Sequence, residues 1–414
     1  MIRAITPIAA LLTGVAILLI GQGLQGTLLP VRATLEDFSN FAIGAFGATY
    51  FLGFAIGCWW GPRLVQRVGH VRVFAAMTAL ASSAPLLHGL WIDLPAWIVL
   101  RFISGFCFAA LYVVIESWLN ETATNQNRGS VFSAYVLINM TMLGVGQQMM
   151  LLDDPALMSL FALASVLVSL AALPVVLSTA PAPRTVEVVE IDLPRLYRTS
   201  PAGMLGSLAA GFANGSFWSL APVFTMAWSH DVALTAWFMT AAVIGGAASQ
   251  WPLGAWSDRI DRRYVMALCA GFAVAVAACI LVFSERLTPG SIVLLGGLWG
   301  AAAFPVYSIA VAHSNDHAAD HEFVVVSSGL LLMYGIGAVI GPLLASGLMQ
   351  AIGARGLYAF TGTIHIVLLV YLFVRRYRRS PAADEEQVAF TEALTAAHTH
   401  TQVGVGPAQA AEQP

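Results

Sequence analysis

Residues 22–30 read QGLQGTLLP, and 192 positions later residues 214–222 read NGSFWSLAP. An amide and a glycine open both stretches (Gln22-Gly23 and Asn214-Gly215), Leu28 meets Leu220, and Pro30 meets Pro222. The displacement drifts only to 195 over the rest of the chain. It sets Arg67 on Arg259, His70 on Arg262, Gly105 on Gly300, Tyr112 on Tyr307, Asn120 on Asn315, Glu121 on Asp316, Ser133 on Ser328 and Gly146 on Gly341. One such match is weak, but a nearly constant offset across four regions marks an internal duplication.

A helix needs about 20 apolar residues to cross the hydrocarbon core. Runs of that kind lie at 5–29, 41–61, 73–92, 96–118, 129–151 and 155–178, then at 204–228, 233–256, 264–284, 290–313, 323–350 and 354–375. Twelve spans in two sets of six preserve orientation between the copies. The halves are therefore parallel repeats about an axis along the membrane normal, an arrangement that places a solute site between them near midplane. The expected organisation is an all-α integral membrane protein with a six-helix bundle over 1–178, a cytoplasmic linker over 179–203, a second six-helix bundle over 204–375 and a disordered cytoplasmic tail over 376–414.

Composition supports the same class. Of 414 residues 58% are apolar and 10% charged, against about 25% charged in soluble domains. All 19 basic residues are arginine, and with 22 acids the net charge is −3, which leaves no basic surface for nucleic acid. Cys58, Cys107, Cys269 and Cys279 sit inside apolar runs, without the placement of a disulfide framework or the spacing of a zinc site. With the N-terminus inside, the inner loops and termini hold fifteen arginines, from Arg3 to Arg379, and the outer loops hold Arg32, Arg286 and Arg355. This bias predicts both termini in the cytoplasm. No P-loop is present, so ATP is not the energy source, and no nucleophile, base or metal set clusters to suggest an enzyme, a metal site or a cofactor.

The loop after the eighth span, GAWSDRIDRR (254–263), places a carboxylate among guanidiniums at a tight cytoplasmic turn. It resembles the signature loop of the major facilitator superfamily, in which a glycine, three residues, Asp-Arg, one residue, a second glycine and two basic residues follow one another. Asp261 stands where the second glycine belongs. The first-half copy, PRLVQRVGHVR (62–72), keeps Arg67, Gly69 and Arg72 but carries Gln66 in place of the acid. Arg67, Arg72, Asp258, Arg259 and Arg262 are the candidate cytoplasmic gate. Three further stretches, RVGHVR (67–72), ESWLNE (116–121) and VAHSND with SSGLLLMYGIGAVIGPLLASG (311–316 and 327–347), resemble the YcaD-like branch of bacterial transporters over all but the tail. The resemblance implies a secondary transporter in the bacterial cytoplasmic membrane, moving one small solute by alternating access, coupled to protons and working as a monomer. Facilitated diffusion and a non-transporting sensor or scaffold on the same fold are the alternatives. Gly337–Pro342 has the G-x-x-x-G-P form of antiporter motifs, but lies in the eleventh span, where it is expected to let the helix pack closely and bend.

Arg101 is the one basic residue within a span. A guanidinium there either faces a wet cavity or snorkels to the interface. Members of the resembled superfamily carry an arginine early in the fourth helix, associated with proton coupling and substrate anions. Glu116, fifteen residues on, is about 22 Å away along a helix and is either a proton-coupling carboxylate or an interfacial cap near Asn120. Gln22, Gln25, Tyr112, Asn139, Gln147, Asn214, Tyr307 and Tyr334 are the candidate pathway residues, with Gln22 and Asn214 favoured because the first and seventh helices flank the cavity of the resembled fold. Thr27, Gln148, Ser216 and Gln250 could join them or bond across helices. His313, His317 and His321 recur every four residues but fall in an expected loop.

Overall fold

A computed structural model of the chain describes residues 8–124, 128–177, 192–318, 323–376 and 390. All regular structure among them is helical. The first half is built from α1 (Ala9–Leu35), α2 (Asn40–Val68), α3 (His70–Leu90), α4 (Leu94–Thr122), α5 (Arg128–Gln148, continued by a 3-10 turn over Met149–Leu152), α6 (Met158–Leu170) and α7 (Ala172–Val176). The second half follows a short α8 (Leu193–Thr199) and comprises α9 (Pro201–Ser229), α10 (Val232–Ser257), α11 (Arg262–Phe283), α12 (Pro289–Ala303), α13 (Pro305–Asn315), α14 (Phe323–Ile352) and α15 (Gly356–Arg376). With α6–α7 and α12–α13 each counted as one span, these are twelve spans in two bundles of six.

Polar residues at the water-facing ends set where helices begin. Ser39, Asp93, Asp231 and Ser200 accept from the backbone N–H groups of Ala42, Ala96, Ala233 and Gly203, and Thr288 forms a reciprocal capping box with Ser291. Gly69, at φ +88°, ends α2 and starts α3 in one residue, a turn that a side chain would strain. Pro305 divides the tenth span, since it lacks an N–H and crowds the preceding turn.

The helices overrun the apolar runs from which they were expected. Helix α1 continues through Pro30 to Leu35, α2 continues to Val68, and residues 192–203, read as linker, form α8 and the first turn of α9. Expected spans stop at the last apolar residue, whereas helices continue into the interface while their backbone bonds are met. At the far end of α1, Arg32 is buried rather than free in an outer loop: it donates to Glu36 and to the carbonyls of Pro155 and Ala156. Eleven spans are long and apolar enough to cross a membrane. The remaining one, α9, is rich in glycine and serine and is wrapped by protein, with 20 of its 29 residues buried. Residues 179–191 of the linker, and the tail other than Arg376 and Phe390, lie outside the described residues.

The duplication reappears as four matched pairs of close backbone crossings. Gly23 lies on Leu143 as Gly215 lies on Ala338, and Gly53 on Phe102 as Gly245 on Gly297. Gly105 meets the carbonyl of Tyr50 as Gly300 meets that of Ala242, and Gly146 meets Ile20 as Gly341 meets Phe212. In every pair, residues of the first two helices shift by 192 and those of the fourth or fifth by 195. Without a hydrophobic drive between helices in lipid, small residues that let backbones approach do this work. The pseudo-twofold is thus carried by α1–α5 and α2–α4 crossings in one half and by α9–α14 and α10–α12 crossings in the other.

Apolar packing differs between the two ends of the molecule. One cluster draws on both halves, including Leu28, Phe46, Trp97 and Phe161 from the first and Phe217, Phe238, Trp299 and Tyr358 from the second. All of these lie toward the end distal to the N-terminus. The clusters at the N-terminal end belong to one half each: Val15, Phe74, Phe108 and Trp118 in one, Met266 and Ile309 or Val311 and Leu330 in the others. At the distal end Gly44 sits against Ser346, Gly47 against Ser219, and Gln148 donates to Thr240 across the bundles at 2.7 Å. The bundles therefore meet at the distal end and part toward the N-terminal end.

Candidate functional site

The parting leaves a cavity of about 670 Å³ between the bundles. Helix periodicity decides which residues reach it. Tyr50, Phe54 and Cys58 form one four-residue stripe of α2, and Phe51, Ala55 and Trp59 the next. Helix α4 contributes Arg101, Phe108, Tyr112 and Glu116, α5 contributes Tyr135, Asn139, Leu143 and Gln147, and α1 contributes Gln22, Gln25 and Thr27. The second bundle supplies Trp218, Ser219, Ser328, Leu331, Leu332, Tyr334, Gly335 and Ala338. Both charged wall residues thus come from the first bundle.

At the closed end, Arg101 is 9% exposed and its guanidinium lies 4.2 Å from the centre of the Tyr50 ring, so it faces the cavity and does not snorkel. Gln22 locks the neighbouring phenols: its Nε2 donates to the Tyr50 hydroxyl at 3.1 Å and its Oε1 accepts from the Tyr112 hydroxyl at 2.8 Å. Toward the open end, Glu116 is 1% exposed and accepts from the Tyr135 hydroxyl at 3.4 Å. Gln147 lies on the wall and also accepts from Thr240 at 3.2 Å, which places it at the seam of the closed end.

Of the expected pathway residues, Gln22, Gln25, Arg101, Tyr112, Asn139, Gln147 and Tyr334 line the cavity, as does Glu116. Asn214 and Tyr307 are not among the lining residues. Both flank Tyr334: the Asn214 side chain lies beside it, and Tyr307 packs on its ring at 5.0 Å. The pairing of Gln22 with Asn214 on opposite walls is therefore not what the structure builds, because Tyr334 takes the wall position in front of Asn214. The aromatic wall of Tyr50, Phe51, Phe54, Trp59, Phe108, Tyr135 and Trp218 escaped the sequence reading. Its one advance signal is the pair of four-residue stripes on α2.

The expected gate divides in two. Arg67, Arg72 and Arg259 are exposed. Asp258 pairs with Arg262 at 3.0 Å, and Arg262 in turn pairs with Asp316 at 2.7 Å, with side-chain exposures of 1% for Arg262 and 3% for Asp316. In the first half His70 holds the position of Arg262 and bonds Ser117 at 2.8 Å. Asp261, at the place of the second signature glycine, caps α11 and grips Arg263 through both oxygens. Burial alone would raise its carboxyl, but these bonds hold it below the usual 3.8. Phe390 completes the turn: it is buried against Gly254 and donates its N–H to Asp258. The rings of His313 and His317 meet edge-on with centroids 4.7 Å apart, and His321 lies outside the described residues.

Comparison with known proteins places this architecture. The sequence profile of the Major Facilitator Superfamily matches residues 11–202 and 203–407, one copy per half. An MFS-type transporter of Yersinia enterocolitica is 27% identical over 368 residues, spanning 88% of this chain and 95% of the relative. The MFS-type transporter YcaD of Escherichia coli is 25% identical over the same proportions. Among solved structures, the nucleoside transporter NupG superposes with a TM-score of 0.73 at 14% identity, covering 90% of this chain and 98% of that one. A bacterial homologue of the human lysosomal transporter Spinster, in an inward-facing and occupied conformation, gives 0.71 at 14% identity, over 92% and 98%. With a matching profile in each half and a shared fold of two six-helix bundles around a cavity, the chain belongs to the major facilitator superfamily, beside the YcaD-type transporters that it matches over nearly their whole length.

Proposed function

We propose that this membrane transporter is a proton-coupled secondary transporter of one small solute, working by alternating access in the bacterial cytoplasmic membrane. The supporting observation is a cavity sealed at one end by contacts from both bundles and flanked at the other by cores that belong to one bundle each. Rocking about the midplane would exchange which end is sealed. The arginine bias makes the open end cytoplasmic, so this is the inward-facing state, with both termini inside. A complete cavity within one chain supports a monomeric unit. Glu116 is the proposed proton carrier, because a carboxyl group buried in the wall meets whichever side the cavity faces.

Distance measurements between spin labels test this without knowledge of the solute. In a background lacking Cys58, Cys107, Cys269 and Cys279, one label pair replaces Val68 and Tyr264 near the open end. A second replaces Phe41 and Ile352 at the sealed end. In liposomes, a pH step should shorten the first distance and lengthen the second, and Glu116→Gln should abolish the response. Two distances that stay fixed across pH and across a metabolite panel would refute alternating access.

A further inference from the structure

The cavity holds two hydrogen-bond donors that the protein itself does not satisfy. Gln25 Nε2 and Arg101 Nε are both buried and without a partner, and both residues lie on the wall. Their residues are 2% and 9% exposed. The neighbouring polar groups are used up among themselves, since Gln22 joins the hydroxyls of Tyr50 and Tyr112. Arg101 rests on the Tyr50 ring, yet no carboxylate among the described residues lies within ion-pair distance of it. Glu116 is fifteen residues further along the same helix, or about 22 Å. A guanidinium withdrawn from water without a counter-ion is expensive, and an unmet amide donor one helical turn beyond Gln22 adds to the cost. The walls between these donors and the open end are largely aromatic and apolar, with Phe51, Phe54, Trp59 and Phe108 from one bundle and Trp218 and Leu332 from the other. Their polar groups are few: Tyr112, Tyr135, Asn139 and Glu116 from the first bundle, Ser328 and Tyr334 from the second.

We infer, building on the transporter reading above, that the solute is an organic monocarboxylate with a flat apolar body. Its carboxylate lies at the closed end on Arg101 and Gln25, and its body lies along the aromatic wall. The planar fork of Arg101 suits the two oxygens of a carboxylate. An amine would meet Arg101 as a like charge. A zwitterion would hold its ammonium beside the same guanidinium, with Glu116 far out of reach. A polyhydroxylated solute would set most of its hydroxyls against rings that cannot bond them, because the polar groups of the wall are few beside its aromatic and aliphatic ones. A dianion would carry a second charge with no second cation on the wall.

Binding of four probes of one shape to the purified full-length protein tests the inference, read by calorimetry and by the fluorescence of Trp59 and Trp218. The probes are 3-phenylpropionate, its neutral amide, 3-phenylpropylamine and phenylalanine. The carboxylate should bind at least tenfold tighter than the amide, with no binding of the amine or the zwitterion. Arg101→Lys, which keeps charge but loses the fork, should weaken the carboxylate about tenfold and leave the amide unchanged. Gln25→Leu should weaken it several-fold. The ranking in the unmodified protein needs no variant to fold. Equal affinity for carboxylate and amide, preference for the amine, or failure of every aryl carboxylate from benzoate to naphthoate to bind would overturn the proposal. Spin-label distances that respond to pH while the carboxylate is ignored would sink the solute class alone. Carboxylate binding with immobile bundles would sink the transport reading alone.

Discussion

The backbone N–H of Phe390 donates to both carboxylate oxygens of Asp258, at 3.0 and 3.1 Å, while the Phe390 ring fills the space where Gly254 lacks a side chain. Asp258 is the acid of the turn that keeps the Asp-Arg pair of the signature, and Phe390 of the tail occupies it in this structure. A tethered group fourteen residues beyond the end of α15 acts at millimolar effective concentration, so its release is an intramolecular event. Phe390→Ala should uncover the turn. With Leu253 replaced by cysteine in a background free of native cysteines, maleimide labelling should accelerate at least fivefold in the Phe390→Ala protein. Equal rates would mean that the tail contact protects nothing.

Arg262 and Asp316 form the most buried ion pair among the described residues of the second half. Breaking a buried pair typically costs about 3–5 kcal/mol, and less for Asp316→Asn than for Arg262→Gln, because Arg262 keeps Asp258 at 3.0 Å when Asp316 is replaced. Asp316→Asn and Arg262→Gln should therefore each lower the melting temperature sharply in detergent. The double change Arg262→Met with Asp316→Leu should recover much of the loss, since neither charge then remains. A double variant as unstable as the singles would assign the cost to packing rather than to charge.

The matched glycine crossings make a sharper stability test. A Cβ at Gly300 or Gly341 collides with the backbone of Ala242 or Phe212, which cannot move aside as a side chain could, whereas Gly290 and Gly347 have nothing within 4 Å. Gly300→Ala and Gly341→Ala should destabilise by about 1–3 kcal/mol. The same change at Gly290 or Gly347 should leave thermal unfolding unmoved. Parity among all four would detach the pseudo-twofold from backbone contact.

Asp261 supplies a pH-dependent contribution at the start of α11. Its folded carboxyl lies below 3.8, so the stability from its bonds to Arg263 is fully present above that value and is lost as pH falls through the depressed one. Protection from hydrogen exchange in the first turn of α11, taken relative to the intrinsic rate at each pH, should fall below about pH 4. In Asp261→Asn that protection should be low and flat with pH over the same interval.

Much of the fold is legible in the sequence because lipid imposes its own grammar. Apolar runs and arginine asymmetry reveal the spans, including α9, whose glycines, serines and Asn214 keep it less apolar than its neighbours, and the repeat pairs it with α1. Helix ends are not legible, since capped helices such as α2 continue past the apolar run to Gly69. Arg101, Glu116 and Gln22 stand out because a polar residue within a span must be satisfied somewhere. The aromatic wall does not stand out. Phe51, Phe54 and Trp59 read the same whether they face lipid, core or cavity, and only the parting of the bundles decides. Phe390 sits in an alanine-rich polar tail with no periodicity, so nothing local announces its contact with a turn 132 residues earlier.

The closed end carries a neutral polar seam. Gln148 Nε2 donates to Thr240 Oγ1 at 2.7 Å, and the Thr240 hydroxyl donates to Gln147 Oε1 at 3.2 Å, joining α5 of one bundle to α10 of the other. Its counterpart between α2 and α14 is a tight packing contact, with Gly44 on Ser346 and on the carbonyl of Pro342. A glycine contact resists opening by packing alone, whereas the Thr240 seam can be removed with almost no change in volume. Two hydrogen bonds of about 0.5–1.5 kcal/mol each would bias the sealed state by roughly five- to 150-fold. Thr240→Val should therefore raise the population with a long Phe41–Ile352 label distance, and Thr240→Ser should restore the short one. If the valine protein keeps the original distribution, the Gly44–Ser346 contact seals the closed end unaided.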